Sequence, residues 1–145
     1  MRYLLLISLI VVLSACKKHK LQSEKDDDTI KQYLTDHNLT ATKTDSGLYV
    51  IVTNPGTGDG CGANSTVKVA YKGYYTDGSV FDQSTGAQFS LQSVIKGWTE
   101  GIPYFKEGGN GVLLIPSKLG YGETGSGSVP GNTVLIFDVK LIDVL

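Results

Sequence analysis

The chain has 145 residues, of which 41% are hydrophobic and 19% are charged. This length fits one domain of roughly 100 to 200 residues and leaves no room for a two-domain cofactor enzyme, and the composition excludes a chain that is disordered throughout. The formal net charge is -1. Nucleic-acid binding requires a basic surface, so no nucleic-acid partner is expected.

The N-terminal segment has the pattern of a secretory signal. Arg2 is followed by a nearly unbroken apolar stretch, residues 3–12, which is too short to span a bilayer as a helix. Residues 13–16, Leu-Ser-Ala-Cys, resemble the lipobox of bacterial lipoproteins, whose cysteine is lipidated and becomes the first residue of the mature chain. Residues 1–15 are therefore predicted to be a lipoprotein signal peptide, and Cys16 is predicted to be a lipid anchor that attaches the protein to a membrane.

The residues after Cys16 bear on location. Residues 17–20 are Lys-Lys-His-Lys, which disfavours the alternative that the apolar stretch is a buried core helix. Lys17 gives no aspartate-type retention signal, so the expected location is the cell envelope, lipid-anchored and extracytoplasmic, with the outer membrane favoured. Once Cys16 is lipidated, Cys61 has no cysteine partner in the chain, and no internal disulfide is expected.

Residues 16–43 are predicted to form a lipidated tether that includes one short helix. Residues 17–28 are polar apart from one leucine, which is typical of a solvated tether with almost nothing that could enter a core. A helix is predicted from about residue 28, because apolar residues follow at helical spacing: Ile30, Tyr33, Leu34 and Leu39. The pattern does not decide whether this helix packs on the body or on another copy. Residues 40–45 are typical of a linker.

Residues 44–145 are predicted to form one globular unit that is rich in β-strands. Val67, Val69 and Tyr71 alternate with less apolar residues as in a half-buried strand, and Asp77-Gly78 predicts a hairpin turn. Further strands are predicted at residues 48–53, 80–82, 89–91, 112–115 and 134–145. In the last of these, alternate residues share an apolar face: Leu135, Phe137, Val139 and Leu141.

One helix is predicted within this unit, over residues 93–102, with Ser93 as its cap. Gly97, Gly101 and Pro103 weaken or end it, so this helix needs other residues packed around it. The predicted fold class is accordingly α+β.

The composition of residues 44–145 excludes several kinds of catalytic site. Both histidines, His19 and His37, precede this unit, which excludes hydrolysis by a serine or cysteine with a histidine base. No structural zinc set, histidine-based metal site or P-loop motif is present, so no metal and no cofactor are expected. A glycosidase-like carboxylate pair stays formally open, although no spacing singles out two among Asp77, Asp82, Glu100, Glu107 and Glu123.

Three segments combine aromatic and branched apolar residues with glycine. They are residues 69–74 together with Phe81-Asp82, residues 94–98, and residues 119–122. Trp98 is the only tryptophan, and its small neighbours at positions 97 and 101 could leave its ring open to a cleft. Any one of these aromatic residues alone is more typical of an ordinary core, so the combination carries the signal.

In this order the segments closely resemble the FKBP-type peptidyl-prolyl cis-trans isomerases over about residues 47–145. The motifs are Tyr-x-Gly-x-x-x-Asp-Gly-x-x-Phe-Asp at residues 71–82, Val-Ile-x-Gly-Trp at residues 94–98, Tyr-Gly at residues 121–122, and the strand at residues 134–139. The resemblance implies a bent antiparallel β-sheet, a half-barrel, wrapped around one short α-helix. It implies peptidyl-prolyl cis-trans isomerase activity on proline-containing segments of unfolded or exported proteins.

The resemblance also implies the site residues. An aromatic pocket would be lined by Tyr71, Phe81, Val94, Ile95, Trp98, Tyr121, Val129 and Phe137. The residues expected to act on the twisting bond are the Asp82 carboxylate, the Tyr121 hydroxyl, the Ile95 backbone N–H and the Phe81 ring. A non-catalytic module that binds proline-containing peptides and, less favoured, a purely structural envelope lipoprotein stay open as alternatives.

Overall fold

The computed structural model describes residues 20–145. The predicted signal peptide, residues 1–15, and the predicted lipidation site, Cys16, lie outside the described residues. The strands are β1 Thr42–Lys43, β2 Tyr49–Asn54, β3 Thr66–Tyr74, β4 Val80–Ser90, β5 Asn110–Ile115 and β6 Leu135–Val144. The α-helices are α1 Gln22–Asp36 and α2 Lys96–Gly101, and short 3-10 turns cover Ile102–Tyr104 and Ser117–Leu119.

The six strands form one antiparallel sheet in the order β1-β2-β5-β6-β3-β4. The predicted hairpin at Asp77-Gly78 joins β3 to β4, and Gly78 has the positive φ of 88° that such a turn requires. The pairing of β3 with β4 shifts register between Val69 and Tyr71 and again between Gly73 and Tyr74. Such irregularities bend a sheet. The α+β class and the antiparallel sheet are confirmed.

The edge strand β4 differs from its prediction. Residues 80–82 and 89–91 were expected as two separate strands, whereas Val80–Ser90 is one strand of eleven residues. The intervening polar residues pair with β3, for example Gln83 with Lys72 and Gln88 with Lys68. Backbone hydrogen bonds to a single neighbour hold this edge, so its side chains need not be apolar.

The helix α2 packs on the inner face of the sheet, within the main core, the apolar cluster that includes Trp98, Leu113 and Ile115. It begins at Lys96 after Ile95, and Ser93 makes no capping hydrogen bond, contrary to the prediction of a helix from residue 93. The Thr99 hydroxyl donates instead to the carbonyl of Leu91 at 2.6 Å. A Cβ atom on Gly97 would lie 2.6 Å from Ile115, so glycine lets this short helix approach β5 closely.

The helix α1 covers the opposite, outer face of the sheet. Ile30 and Leu34 are buried in a second apolar cluster, together with four residues of the body: Tyr49, Leu114, Val134 and Ile136. The Asp27 carboxylate adds polar contacts, because it accepts a hydrogen bond from the Tyr49 hydroxyl at 2.8 Å and pairs with Lys43 at 2.8 Å. The helix α1 thus packs on the sheet of its own chain.

The N-terminal predictions were wrong in two places. The helix begins at Gln22, about six residues earlier than expected, and Asp26 within the predicted solvated stretch is buried. Residues 40–45 were expected to be a linker, yet they contain β1, in which Thr42 pairs with Val50. Within residues 20–145, no helix is long and apolar enough to cross a membrane.

Candidate functional site

A cavity of about 410 Å³ opens beside α2 on the inner side of the sheet. It is lined by Tyr71, Asp82, Phe89, Ser93, Val94, Ile95, Trp98, Tyr121 and Phe137. Strands β3, β4 and β6 supply the aromatic walls, the turn before α2 supplies the branched apolar residues, and the loop after the second 3-10 turn supplies Tyr121. Aromatic and aliphatic groups therefore surround a small number of polar groups, as in most sites for organic ligands.

The indole of Trp98 is the centre of the aromatic cluster. Three rings meet it edge to face, with centroid separations of 5.1 Å for Tyr71, 5.2 Å for Phe89 and 5.3 Å for Phe137. These are favourable geometries for aromatic pairs and hold the indole in one orientation. Trp98 is 4% exposed, and its buried Nε1 donates to no atom of residues 20–145.

The polar side of the cavity is formed by Asp82 and two tyrosines. The Tyr71 hydroxyl donates to Asp82 Oδ2 at 2.8 Å. Burial, together with this hydrogen bond, raises the pKa of Tyr71 to about 12. Burial and the negative charge of Asp82 also raise the pKa of Tyr121. Both hydroxyls therefore keep their protons at neutral pH and can donate hydrogen bonds.

The backbone of Ile95 offers a further donor at the cavity wall. Its carbonyl accepts from the N–H groups of Trp98 at 3.0 Å and Thr99 at 3.2 Å, which fixes the peptide unit at the start of α2. The Ile95 N–H donates to no backbone carbonyl in the described part of the chain. A ligand carbonyl that enters the cavity can accept from this group.

The structure brings seven of the nine predicted site residues to the cavity wall: Tyr71, Asp82, Val94, Ile95, Trp98, Tyr121 and Phe137. Phe81 does not line it. Its ring packs over Gly73, where a Cβ would lie 2.7 Å from the ring, and contacts Phe137 with a centroid separation of 5.5 Å. Phe81 therefore supports the cavity wall through Phe137.

Val129 also lies away from the lining. Its side chain is buried in the main core, and its backbone exchanges two hydrogen bonds with Ser126, at 3.0 and 2.9 Å. These bonds close a narrow turn at residues 126–129. Because the turn directs Val129 into the core, the expectation that this residue lines the pocket is not met.

Two lining residues, Phe89 and Ser93, were missed by the sequence reasoning. Phe89 lies on β4 opposite Val67. It takes this position because β4 is one continuous strand rather than the two short strands that were predicted. The alternation of Ala87 and Phe89 along β4 was the available signal, and the polar residues before them obscured it. Ser93 was predicted only as a helix cap.

Comparison with known proteins gives one consistent result. The family model described as "FKBP-type peptidyl-prolyl cis-trans isomerase" matches residues 59–142. The chain is 40% identical over 139 residues to the FKBP-type peptidyl-prolyl cis-trans isomerase FkpA of Buchnera aphidicola subsp. Baizongia pistaciae, covering 93% of this chain and 53% of that protein. It is 44% identical over 103 residues to FkpA of Escherichia coli K12, covering 68% of this chain and 38% of that protein. The chain thus spans about half, or less, of the length of these relatives.

Solved structures show the same similarity. A crystal structure of FkpA from Escherichia coli superposes with a TM-score of 0.74 at 34% identity, covering 99% of this chain and 70% of that chain. A peptidyl-prolyl cis-trans isomerase from Pseudomonas syringae pv. tomato gives a TM-score of 0.72 at 32% identity, covering 87% of this chain and 98% of that chain.

Proposed function

Because the chain belongs to the FKBP-type peptidyl-prolyl cis-trans isomerase family, we propose that it accelerates the isomerisation of X-Pro peptide bonds in exported proteins. The observation that carries this proposal is the cavity in which an aromatic floor at Trp98 faces the polar groups of Asp82 and Tyr121. The barrier to this reaction, about 18–20 kcal/mol, arises from amide resonance. Lowering this barrier requires no nucleophile, since rotation about the amide C–N bond forms and breaks no covalent bond.

The proline ring of the substrate is proposed to lie over the indole of Trp98, between the rings of Tyr71 and Phe137. The Ile95 N–H and the Tyr121 hydroxyl then donate to substrate carbonyls on either side of the bond that rotates. A site that fits the twisted amide better than either planar form lowers the barrier by differential binding. The apolar walls also remove water from the amide oxygen, which disfavours the charge-separated planar form.

Asp82 is proposed to place its carboxylate near the rotating bond. The hydrogen bond from Tyr71 at 2.8 Å fixes one of its oxygens, so the charge is held in one place before the substrate binds. A charge that needs no reorganisation during the reaction stabilises a transition state more effectively than a mobile one.

A tetrapeptide isomerisation assay on the purified full chain tests the proposal. We expect acceleration by the unmodified chain and a loss of about 2- to 10-fold in kcat/KM for Tyr121→Phe, since one hydrogen bond contributes about 0.5–1.5 kcal/mol. The matched control is Tyr104→Phe, whose exposed ring lies outside the cavity. Asp82→Asn, with the exposed Asp143→Asn as its control, is expected to lose activity in the same way.

The outcomes separate the alternatives. Binding of proline-containing peptides without any change in the isomerisation rate would favour a non-catalytic binding module. Absence of both binding and acceleration would favour a structural envelope protein and refute the proposed activity.

The location proposed for the mature protein is the cell envelope, with Cys16 lipidated after removal of residues 1–15. The support is the sequence pattern of residues 1–16. Growth of expressing bacteria with radiolabelled palmitate is expected to label the chain, and Cys16→Ala is expected to abolish the label. Cys61→Ala is the control and is expected to keep it. Fractionation of the membranes then tests the preference for the outer membrane.

A further inference from the structure

A buried carboxylate joins α1 to the loop that carries Tyr121. Asp26 is 3% exposed, although it belongs to a helix whose other acidic residues are wholly or partly exposed. Its Oδ2 accepts two hydrogen bonds from Ser117, one from the backbone N–H at 2.8 Å and one from the hydroxyl at 2.5 Å. Its Oδ1 accepts from Gln22 Nε2 at 2.8 Å. Three donors therefore satisfy this carboxylate, as a buried charge requires.

Ser117 in turn fixes the backbone on both sides of Tyr121. Its carbonyl accepts from the N–H of Gly120 at 3.0 Å and from the N–H of Gly122 at 2.8 Å. The two glycines that flank Tyr121 are thus bonded to one residue, and that residue is bonded to Asp26. A continuous set of hydrogen bonds leads from α1 on the outer face to the cavity wall.

The docking of α1 on the body does not depend on Asp26 alone. Ile30 and Leu34 bury their side chains against the outer face of the sheet. Asp27, the next residue, bonds Tyr49 on β2 and Lys43 on β1 and makes no hydrogen bond to Ser117. Asp26 and Asp27 therefore bond the same helix to different residues, and of the two only Asp26 accepts hydrogen bonds from Ser117.

We propose that Asp26 is a positioning residue that acts through Ser117 to hold Tyr121 at the wall of the cavity. The segment that supplies it lies outside residues 59–142, the range that the family model matches. The effect on activity rests on the isomerase function proposed above, whereas the effect on the position of the loop does not.

The test measures activity and loop position together in the full chain. We expect Asp26→Ala to lower kcat/KM about tenfold, within the loss of up to about 100-fold that a misplacement of about 1 Å can cause. The loss should fall on the same parameter, kcat or KM, that Tyr121→Phe changes. Asp26→Asn should keep most of the activity, because its amide oxygen can still accept from both Ser117 donors and Gln22 can reverse its own amide.

Asp27→Ala is the matched control, since it weakens the attachment of α1 without touching Ser117. It should keep kcat/KM within about twofold, a change too small to reflect a lost transition-state contact. In the double variant Asp26→Ala/Tyr121→Phe, the loss should not exceed the larger of the two single losses, because residues that act as one unit are not additive. Ser117→Ala removes only the hydrogen bond from the Ser117 hydroxyl to Asp26 and keeps the one from the backbone N–H. It replaces Asp26→Ala in the same measurements if that variant does not fold.

Amide NMR shifts of Gly120 and Gly122 give the readout that is independent of activity. They should move in Asp26→Ala and stay in place in Asp27→Ala. The proposal is overturned if these shifts do not respond, if Asp27→Ala loses as much activity, or if the double variant shows the full product of both losses. An unmodified chain without isomerase activity would refute the proposed function, and the two glycine shifts would still decide whether Asp26 holds the loop.

Discussion

The Tyr71 hydroxyl has a structural partner as well as a place in the cavity wall. It donates to Asp82, and its ring meets the indole of Trp98 edge to face. Folding therefore removes this hydroxyl partly from water and places it beside a negative charge. Both effects disfavour the phenolate, and this has a measurable consequence at alkaline pH.

We expect the free energy of unfolding to fall as the pH rises from about 10 toward about 12. The pKa of Tyr71 is about 12 in the folded chain and about 10 in an unfolded one, so its stabilising contribution is complete below the lower value and is lost through the higher one. Tyr71→Phe should make this fall less steep in urea unfolding experiments. Burial and the Asp27 hydrogen bond also raise the pKa of Tyr49 to about 12. Tyr49 therefore maintains part of the slope in the Tyr71→Phe variant.

The control for this experiment is Tyr104→Phe, because the Tyr104 side chain is exposed and outside the cavity. This variant removes a tyrosine hydroxyl without changing the contacts of Tyr71 with Asp82 and Trp98. Equal slopes for Tyr71→Phe and the unmodified chain would show that the Tyr71 hydroxyl is not shielded in the folded state.

Gly97 determines how closely α2 can approach the sheet. A Cβ at this position would lie 2.6 Å from Ile115 Cγ2 and 2.7 Å from its Cδ1. Overpacking costs about 1–3 kcal/mol, while alanine gains up to about 1 kcal/mol in helix propensity. We therefore expect Gly97→Ala to lower the free energy of unfolding by about 1–2 kcal/mol.

Urea unfolding measures this change, and Gly62→Ala is the control. No heavy atom lies within 4 Å of the Cβ that Gly62 would acquire, so a change of less than about 0.5 kcal/mol is expected there. Full stability in Gly97→Ala would mean that α2 can move away from β5 at no cost.

The helix α1 contributes to stability as part of the folded body rather than as a spacer. Burial of an aliphatic side chain contributes about 1.5–3 kcal/mol, so loss of Ile30 and Leu34 from the outer face costs about 3–6 kcal/mol. A chain that begins at residue 44 should accordingly unfold at lower urea than one that begins at residue 20. If the two chains unfold at the same urea concentration, α1 does not stabilise the sheet.

The early part of α1 shows why sequence patterns located some elements and not others. The alternation in β6 and the turn residues Asp77-Gly78 are local signals that predicted strands and a hairpin, whereas most of the cavity was predicted from the resemblance of the aromatic motifs to a known family. The burial of Asp26 depends on Ser117, which is 91 residues away. No pattern within the charged stretch around Asp26 contains that information, so the stretch was interpreted as solvated.

The edge strand β4 illustrates a second limit. Its polar middle is held by backbone pairing with β3, which leaves the short alternation of Ala87 and Phe89 as the available apolar signal. Phe89 was overlooked as a cavity residue for the same reason, since its place depends on the register of the whole strand. The three-dimensional pairing of β3 with β4 is what assigns Phe89 to the cavity.

The order of strands across the molecule predicts slow folding. β2 pairs with β5 and β3 pairs with β6, so two of the five strand pairings join segments that are distant in the chain. Domains dominated by such pairings fold in about milliseconds to seconds. Stopped-flow circular dichroism after dilution from urea should show its main phase in this range, and a main phase faster than a millisecond would contradict the expectation.

The only tryptophan of the chain lies in the wall of the cavity. Emission from an indole responds to the polarity and the rings around it, and here no second indole adds a background signal. Any compound that enters the cavity should therefore change the intrinsic fluorescence of the unlabelled protein. The molecule carries its own optical reporter of occupancy, which makes titration with peptides of different sequence straightforward.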